Sequence, residues 1–416
     1  MFHFMTLSAY KIGSYTLISI SFGGNMKNKS SRRSFLAAGL VLPATAVASS
    51  THLNFPDPQA AKPAANPSGG LSFRVLGKTG LKVTSVGFGC MITSDQSVVE
   101  KAADIGITYF DTARGYQQGN NERMVGAALK SKRKNLVLSS KTGAQTRQEA
   151  LGHLETSLRE LGTDYLDIWY LHGKSRAADL KDELMEAQAQ AKKEGKIRFA
   201  GVSMHGGHAE VIPAMIEKNA HFDVALASYN FSMEPATSGL LESAAKAGLG
   251  VVAMKVMAGG FRRSKPGDKT YDTLKREGAM LAALKWVLKN PSVGTTIPSI
   301  TDMEQLDENM KAMTVPFGSG DEKVLAAQLD YIRPLYCRSC GQCNGSCPRG
   351  LPVSDMLRFL SYADGYGEYG LGREHFLALP TSVQRVRCDL CPTCAVRCPN
   401  GVLVSGRLSR AQEIFV

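Results

Sequence analysis

From Leu71 onward, short apolar and β-branched runs alternate with stretches in which apolar residues recur at helical spacing. The runs are "VTSVGFG", "ITYFD", "NLVLSSK", "LDIWYLH", "IRFAGVS", "FDVALASYN", "GVVAMK" and "VGTTIP". Between them lie segments such as "RQEALGHLETSLREL", in which Leu151, Leu154, Leu158 and Leu161 share one helical face. Strand runs separated by amphipathic helices predict repeated βα units on a parallel sheet. Eight such runs predict an α/β chain with a closed (β/α)8 TIM barrel over residues 71–315, a usual length for that fold. An open doubly wound sheet is the alternative. It is disfavoured because "GFGCMI" supplies two glycines of a G-x-G-x-x-G turn and lacks the third.

Polar residues close three consecutive runs. Asp111 ends "ITYFD", Lys141 ends "NLVLSSK" and His172 ends "LDIWYLH", while Tyr116 follows Asp111 in the same βα loop. The carboxyl ends of barrel strands are where active sites are built. A phenol with an ordinary pKa of about 10 is a weak acid at neutral pH, and a neighbouring lysine cation is expected to stabilise its phenolate and bring it into working range. Asp111 then keeps that lysine charged and oriented, and His172 hydrogen-bonds a substrate oxygen. A strand-end Asp is often only a cap and a single His often a core residue. Four such groups in order favour catalysis.

The chain's tail changes the picture. Eight of nine cysteines fall in two sets, Cys337, Cys340, Cys343, Cys347 and Cys388, Cys391, Cys394, Cys398, each spaced C-x2-C-x2-C-x3-C and followed by proline, Pro348 or Pro399. This is the spacing of bacterial four-iron ferredoxins, in which the fourth cysteine of each set ligates the other cluster. By that rule Cys347 joins Cys388, Cys391 and Cys394, while Cys398 joins Cys337, Cys340 and Cys343. Zinc does not account for the spacing, and such close cysteines resist pairing as disulfides within a set. Residues 320–416 are therefore expected to form a small α-rich ferredoxin-like domain holding two [4Fe-4S] clusters. The segment "VSDMLRFLSYADGYGEYG" between the sets reads as a helix packed on the barrel, and Cys90 reads as a buried apolar residue.

Composition and charge add less. The chain has 416 residues, 44% of them hydrophobic, and a formal charge of +12. Lys11, Lys27, Lys29, Arg32 and Arg33 lie in an N-terminal stretch without acids, so the remainder carries 12 − 5 = +7. Two clusters at about −2 each would bring a loaded protein to about +3. No basic run with interleaved aromatics occurs, so no nucleic-acid partner is expected. "SRRSFLAAGLVLPATAVASS" pairs arginines with a short apolar stretch and small residues at Ala46 and Ala48. It resembles a bacterial twin-arginine signal, which implies passage through the twin-arginine translocation machinery to the periplasm or another extracytoplasmic space. Residues 1–48 are read as that signal, with Met26 a plausible true start. Residues 49–70, rich in Pro, Ala, Ser and Gly, are read as a linker. No membrane span is expected in the mature protein.

"LGKTGLKVTSVGFGCM", "YFDTARGYQQGNNERMVGAAL", "LSSKTG", "DYLDIWYLHG", "GVSMH", "SYNF" and "IPSITDMEQLDEN" follow one another in the order seen in aldo-keto reductases, so residues 71–313 resemble that family. The resemblance implies a nicotinamide cofactor, NAD(P)(H), lying across the strand ends, and a tetrad of Asp111, Tyr116, Lys141 and His172 with Tyr116 as proton donor to a carbonyl. The cofactor positions it implies are Ser203, Asn230, Lys255, Ser299, Thr301, Gln305, Glu308 and Asn309. Several depart from the family's habit. Met204 stands where an asparagine usually follows Ser203, and Leu226 where a glutamine is usual. Ser299 and Gln305 stand where 2′-phosphate-binding members often carry Lys or Arg, so no preference for the phosphorylated form is expected. Lys255 is equally well read as a phosphate contact or as a solvated strand-end lysine. Within the family, barrels with a C-terminal ferredoxin-like extension form a subgroup that this chain resembles. Two functional classes follow. One is an enzyme interconverting a small-molecule carbonyl and an alcohol, its clusters relaying electrons to or from a redox partner protein. The other is a non-catalytic electron-transfer module on a barrel scaffold, with relay or structural clusters.

Overall fold

The computed structural model describes residues 7–12, 15–20, 70–233, 235–259 and 269–416. The paired arginines Arg32 and Arg33, Met26 and the tether up to residue 69 lie outside them. Met1–His52 form one compact unit, whose described part is an antiparallel pair, Leu7–Ile12 with Tyr15–Ile20. Leu53–Val416 form the other.

In the larger unit eight parallel strands stand side by side in chain order. They are β1 (Phe88–Gly89), β2 (Tyr109–Asp111), β3 (Val137–Thr142), β4 (Leu166–Leu171), β5 (Ile197–Met204), β6 (Val224–Ser228), β7 (Gly250–Met254) and β8 (Thr295–Thr296). Parallel bridges from Val86 to Thr296 and from Gly89 to Ser299 bring the first and last strands together, so the sheet closes as a barrel. Strand alternation explains the composition of the runs. In β4, Ile168 and Tyr170 point into the barrel, where the Tyr109 and Tyr170 hydroxyls meet at 2.8 Å, while Trp169 and Leu171 face the helices.

The surrounding helices are α1 (Gln96–Asp104), α2 (Asn120–Leu129), α3 (Arg147–Leu161), α4 (Asp182–Lys193), α5 (His208–Glu217), α6 (Pro235–Lys246), α7 (Lys269–Arg276), α8 (Ala279–Leu288) and α9 (Met303–Lys311). A short antiparallel hairpin, Phe73–Val75 with Lys82–Thr84, precedes β1. Its Leu76, Leu81 and Val83 are buried against Val137, Ile168 and Val252 inside the barrel and seal the amino-terminal end of the strands.

After the barrel, α10 (Ser319–Ile332) packs Leu325 on Ala282 and Ala283 of α8. The two cysteine loops follow, with α11 (Val353–Asp364), α12 (Tyr369–Leu377), the short α13 (Thr381–Gln384) and α14 (Val404–Phe415). The single helix expected over residues 353–370 is instead α11 and the start of α12, broken around Gly365–Gly367. Together the tail helices build a separate core around Met356, Leu360, Phe376, Leu408 and Phe415. Asp364, 3% exposed, accepts hydrogen bonds from Arg407 and Arg410 and ties α11 to α14. No helix among the described residues is long and apolar enough to cross a membrane.

Candidate active site at the barrel mouth

Asp111, Lys141 and His172 reach the carboxyl-terminal rim because each ends or follows a strand, and Tyr116 is brought to them by a strained turn. Gln117 and Gln118 both adopt left-handed backbone, at φ 49° and 55°, and Gly119 follows at φ 89°. Non-glycine residues in that region persist only when their surroundings hold them. Here Gln117 Nε2 donates to the Thr93 carbonyl at 2.9 Å. Asn121 donates to the Cys90 carbonyl at 2.8 Å and accepts from Thr112 at 2.6 Å. A Cβ on Gly119 would lie 1.8 Å from the Arg114 guanidinium, which is paired with buried Glu122.

Lys141 links the other groups. Its Nζ donates to Asp111 Oδ2 at 2.5 Å, to the Thr112 carbonyl at 2.7 Å and to Tyr116 Oη at 3.2 Å. Asp111 also accepts from Ser139 Oγ at 2.7 Å. Lys141 and Asp111 are 1% and 2% exposed, so the pair is removed from water. Burial raises the Asp111 pKa despite the lysine beside it. For Lys141, burial opposes the charge, but Asp111 and Tyr116 outweigh it and hold its pKa above the ordinary value. The ring of His172 stands edge-on to Tyr116 with centroids 6.0 Å apart. Burial, then the Lys141 and Arg358 cations, push its pKa far down, so His172 is neutral.

Tyr116 departs from expectation. Burial pushes its pKa up to about 12, and the lowering by Lys141 only partly offsets that. The lysine therefore does not bring this phenol into the neutral range. It keeps desolvation from driving the pKa further, and Tyr116 stands as a protonated donor.

The tail forms the other wall of the site. Tyr362 of α11 is 2% exposed, and its hydroxyl meets Arg358 Nη1 at 2.9 Å. The Lys255 ammonium lies 4.8 Å and 5.0 Å from the ring centroids of Tyr362 and Tyr366. At Gly365 a Cβ would come within 2.3 Å of the Gly259 carbonyl oxygen, and at Gly206 within 2.2 Å of the Ser339 carbonyl oxygen. Backbone thus rests on backbone where the tail meets the loops after β7 and β5. A cleft of about 1150 Å³ runs from Tyr116 and His172 past Lys174 and His205 to the Cys340 loop and His375. Sequence reading missed His205, Arg358, Tyr362 and His375. The i, i+4 spacing of Arg358 and Tyr362 on an amphipathic helix was the available signal, but the barrel they face is set by tertiary packing.

The residues expected to hold a dinucleotide divide into two groups. At the adenosine end Asn309 is 2% exposed with its Nδ2 unpaired, a donor that a base would satisfy. Glu308 lies beside it in α9. The Gln305 side chain, by contrast, folds back on Thr301 and Asp302, and Asp302 caps α9 by accepting from Gln305 N at 2.8 Å. An acid at that helix start opposes a further phosphate. At the nicotinamide end Ser203 Oγ accepts from Gly173 N at 3.0 Å. Asn230 is spent on the Lys255 carbonyl, the Tyr336 hydroxyl and Ser232. Lys255, expected to meet phosphate or water, lies beneath two tyrosine rings. Ser299 lines a space of only about 80 Å³ roofed by Gly365 and Tyr366, against the several hundred that ligand pockets span. The chain therefore fits the adenosine half of a dinucleotide and not its nicotinamide half.

The eight tail cysteines are free thiols. Cys343 feels the nearby Cys340 and Cys398, and Cys388 feels Cys347, Cys394 and Cys391; these neighbours raise both pKa values beyond what burial does, to about 11 for Cys388. Cys398 thus lies near Cys343, and Cys347 near Cys388, so each fourth cysteine approaches a member of the other set. Asn400 connects the loops, accepting from Arg338 at 3.0 Å and approaching Cys340 Sγ at 3.5 Å. Among the described residues no three His, Cys, Asp or Glu side chains converge on one ion, and a cubane does not ask for that, since each thiolate binds a separate iron. The residues fit two four-iron clusters. Cys90 is buried in the barrel's outer core, where desolvation raises its pKa.

Fold and site are those of a barrel oxidoreductase carrying a cysteine-rich tail. The sequence profile of the aldo/keto reductase family matches residues 92–326 and that of a 4Fe-4S dicluster domain matches residues 336–403. The chain belongs to the aldo/keto reductase family, and its C-terminal part is a 4Fe-4S dicluster domain. The Bacillus subtilis (strain 168) protein called "Uncharacterized oxidoreductase YqkF" is 28% identical over 281 residues, 58% of this chain and 90% of its own. The holo form of an aldo-keto reductase from Bacillus halodurans superposes with a TM-score of 0.54 at 26% identity, covering 61% of this chain and 96% of its own. An aldo-keto reductase from Klebsiella pneumoniae in complex with NADPH does so at 0.51 and 26%, covering 62% and 94%.

Proposed function

We propose that the protein is an exported oxidoreductase that interconverts a carbonyl and an alcohol at the barrel mouth, with Tyr116 giving and taking the proton at the substrate oxygen. The observation that carries this is the Lys141 ammonium shared between Asp111 and Tyr116. In the reducing direction the Tyr116 phenol and the neutral His172 imidazole hydrogen-bond the carbonyl oxygen. Reduction of the C=O group takes two electrons and two protons. The electrons would be supplied one at a time by the clusters when bound. Tyr116 gives the proton at oxygen, the proton at carbon comes from water in the cleft, and Lys141, kept charged by Asp111, faces the phenolate left behind. In the oxidising direction that phenolate takes the proton back.

The family's use of dinucleotide supports NAD(P)(H) only in part, because the nicotinamide end is filled by the protein's own side chains; no step is assigned to it. Cys337, Cys340, Cys343 and Cys398 would hold one [4Fe-4S] cluster and Cys388, Cys391, Cys394 and Cys347 the other, and when bound these would supply one-electron transfer with a redox partner protein. The twin-arginine motif at Arg32 and Arg33 supports export. Replacing both by lysine is expected to retain the protein in the cytoplasmic fraction, and unchanged fractionation would count against it.

The test of the chemistry is Tyr116→Phe in the cluster-loaded protein. With a reduced viologen as electron source and a panel of aldehydes and ketones, the variant should form alcohol about 10²–10⁴-fold more slowly with its visible spectrum unchanged. Equal rates would refute the assignment.

A further inference from the structure

The cleft between barrel and tail contains a cation that the tetrad does not use. Lys174 follows His172 by two residues on the loop after β4 and is only 5% exposed. Its backbone N–H is bonded to the Ser203 carbonyl at 2.9 Å, which fixes the start of the side chain beside β5. No acceptor or carboxylate among the described residues pairs with its ammonium, although nearly every other buried charge in the molecule is paired. Asp111 has Lys141, Glu122 has Arg114, Asp167 has Arg133 and Arg198, and Asp364 has Arg407. Desolvation lowers the Lys174 pKa, and Asp179, itself bonded to Arg176, offsets only part of this.

The surroundings have the same sign. On the opposite wall Arg358 reaches the cleft with its guanidinium shared between Asp355 and Tyr362. His205, wedged between barrel and cysteine loop, has a buried Nδ1 without a partner. The carboxylates near it are Asp179, bonded to Arg176, Asp355, committed to Arg358, and exposed Glu210.

We propose that this cleft binds an organic anion, a carbonyl compound bearing a carboxylate or similar oxyanion, and that Lys174 is the residue that receives the charge. The inference rests on the carbonyl-reductase reading of the same site and names its substrate class. The anion gives the Lys174 ammonium the hydrogen-bonded partner that it lacks among the described residues, and it orients the carbonyl toward Tyr116 and His172. Lys174 is a specificity residue. It moves no proton.

The test measures binding separately from turnover. Full-length, cluster-loaded protein is titrated calorimetrically with phenylglyoxylate and 2-oxoglutarate and with their neutral amides, in the wild type, Lys174→Met, Lys174→Arg and Tyr116→Phe. The acids should bind and the amides not. Lys174→Met should weaken the acids by about 10- to 100-fold, the range for a hydrogen bond to a charged group, and Lys174→Arg should restore most of it. Lys174→Met relieves an unpaired buried charge, so its melting temperature should equal or exceed the wild type's, which separates lost binding from lost folding. Acids that fail to bind, amides that bind equally well, or a Lys174→Met protein that binds like wild type would each overturn the proposal. A Lys174 dependence seen with NADPH but not with the acids would overturn it too, assigning the charge to a cofactor phosphate. Tyr116→Phe should bind the acids normally. If Tyr116→Phe also turned them over normally, the reductase reading would fall while the anion site stood.

Discussion

Lys141→Met separates the electrostatics of the site from its packing. The side chains have similar length, so the change removes a charge rather than a volume, and Asp111 is left 2% exposed with Ser139 as its remaining partner. Burial already raises the Asp111 pKa against the pull of Lys141. Without the lysine the carboxyl escapes its penalty by taking up a proton. The cost of doing so is set by the distance between the working pH and the unfolded pKa of about 3.9. At about 1.4 kcal/mol per pH unit, it is about 4 kcal/mol at pH 7 and about 1.5 kcal/mol at pH 5. The first figure agrees with the usual cost of breaking a buried ion pair, about 3–5 kcal/mol. The sign follows from a folded pKa lying above the unfolded one: the variant's deficit is small below about pH 4 and grows as pH rises toward the raised pKa. For a domain of this size each kcal/mol moves melting by about 2–4 °C, so the variant should melt about 8–16 °C below wild type at pH 7 and about 3–6 °C below it at pH 5. The assay is anaerobic thermal unfolding at one scan rate. Adding Asp111→Asn should recover much of the pH 7 loss. A deficit independent of pH, or a double variant no better than Lys141→Met, would refute the reasoning.

Two further outcomes follow from the site and the tail. With Tyr116 pushed up to about 12 and His172 neutral, both hydrogen-bond donors keep their state across the neutral range, so the rate of carbonyl reduction should be level from about pH 6 to about pH 9; a half-loss centred near pH 8 would show a phenol much more acidic than its burial allows. Because Cys347 lies beside Cys388 rather than completing its own set, Cys347→Ser should lose about half the iron and give the electron paramagnetic resonance spectrum of Cys388→Ser; a spectrum matching Cys340→Ser would refute the crossed arrangement.

The barrel was legible because its signal is local. Each βα unit carries its own alternation, and each of the eight quoted runs falls on one of the eight strands, two of which run one residue further, to Thr142 and Met204. That Asp111, Lys141 and His172 share one rim was legible for the same reason, since a strand-end position fixes both height and direction. What failed were inferences about environment. The effect of Lys141 on Tyr116 was read from proximity alone, yet desolvation, which depends on everything packed around the phenol, is larger. Asn230 and Lys255 sit at family positions, but their partners Tyr336, Tyr362 and Tyr366 come from a segment more than 100 residues distant in the case of Tyr336. Hydrophobic period shows that α11 has a buried face; it does not say that a barrel mouth is what covers it.

The two ends of the barrel are closed by segments from opposite sides of the barrel sequence. The hairpin carrying Leu76 and Leu81 stops the lower end and lies before β1, whereas Tyr362 and Gly365 cover the upper end and lie after β8. During synthesis the floor emerges first and the lid last. The strands can pair and the lower core form while the catalytic end is still open to water, and only the final stretch of chain converts a folded barrel into a finished site. The contacts that finish the mouth join chain segments far apart in sequence, the kind that are slow to form.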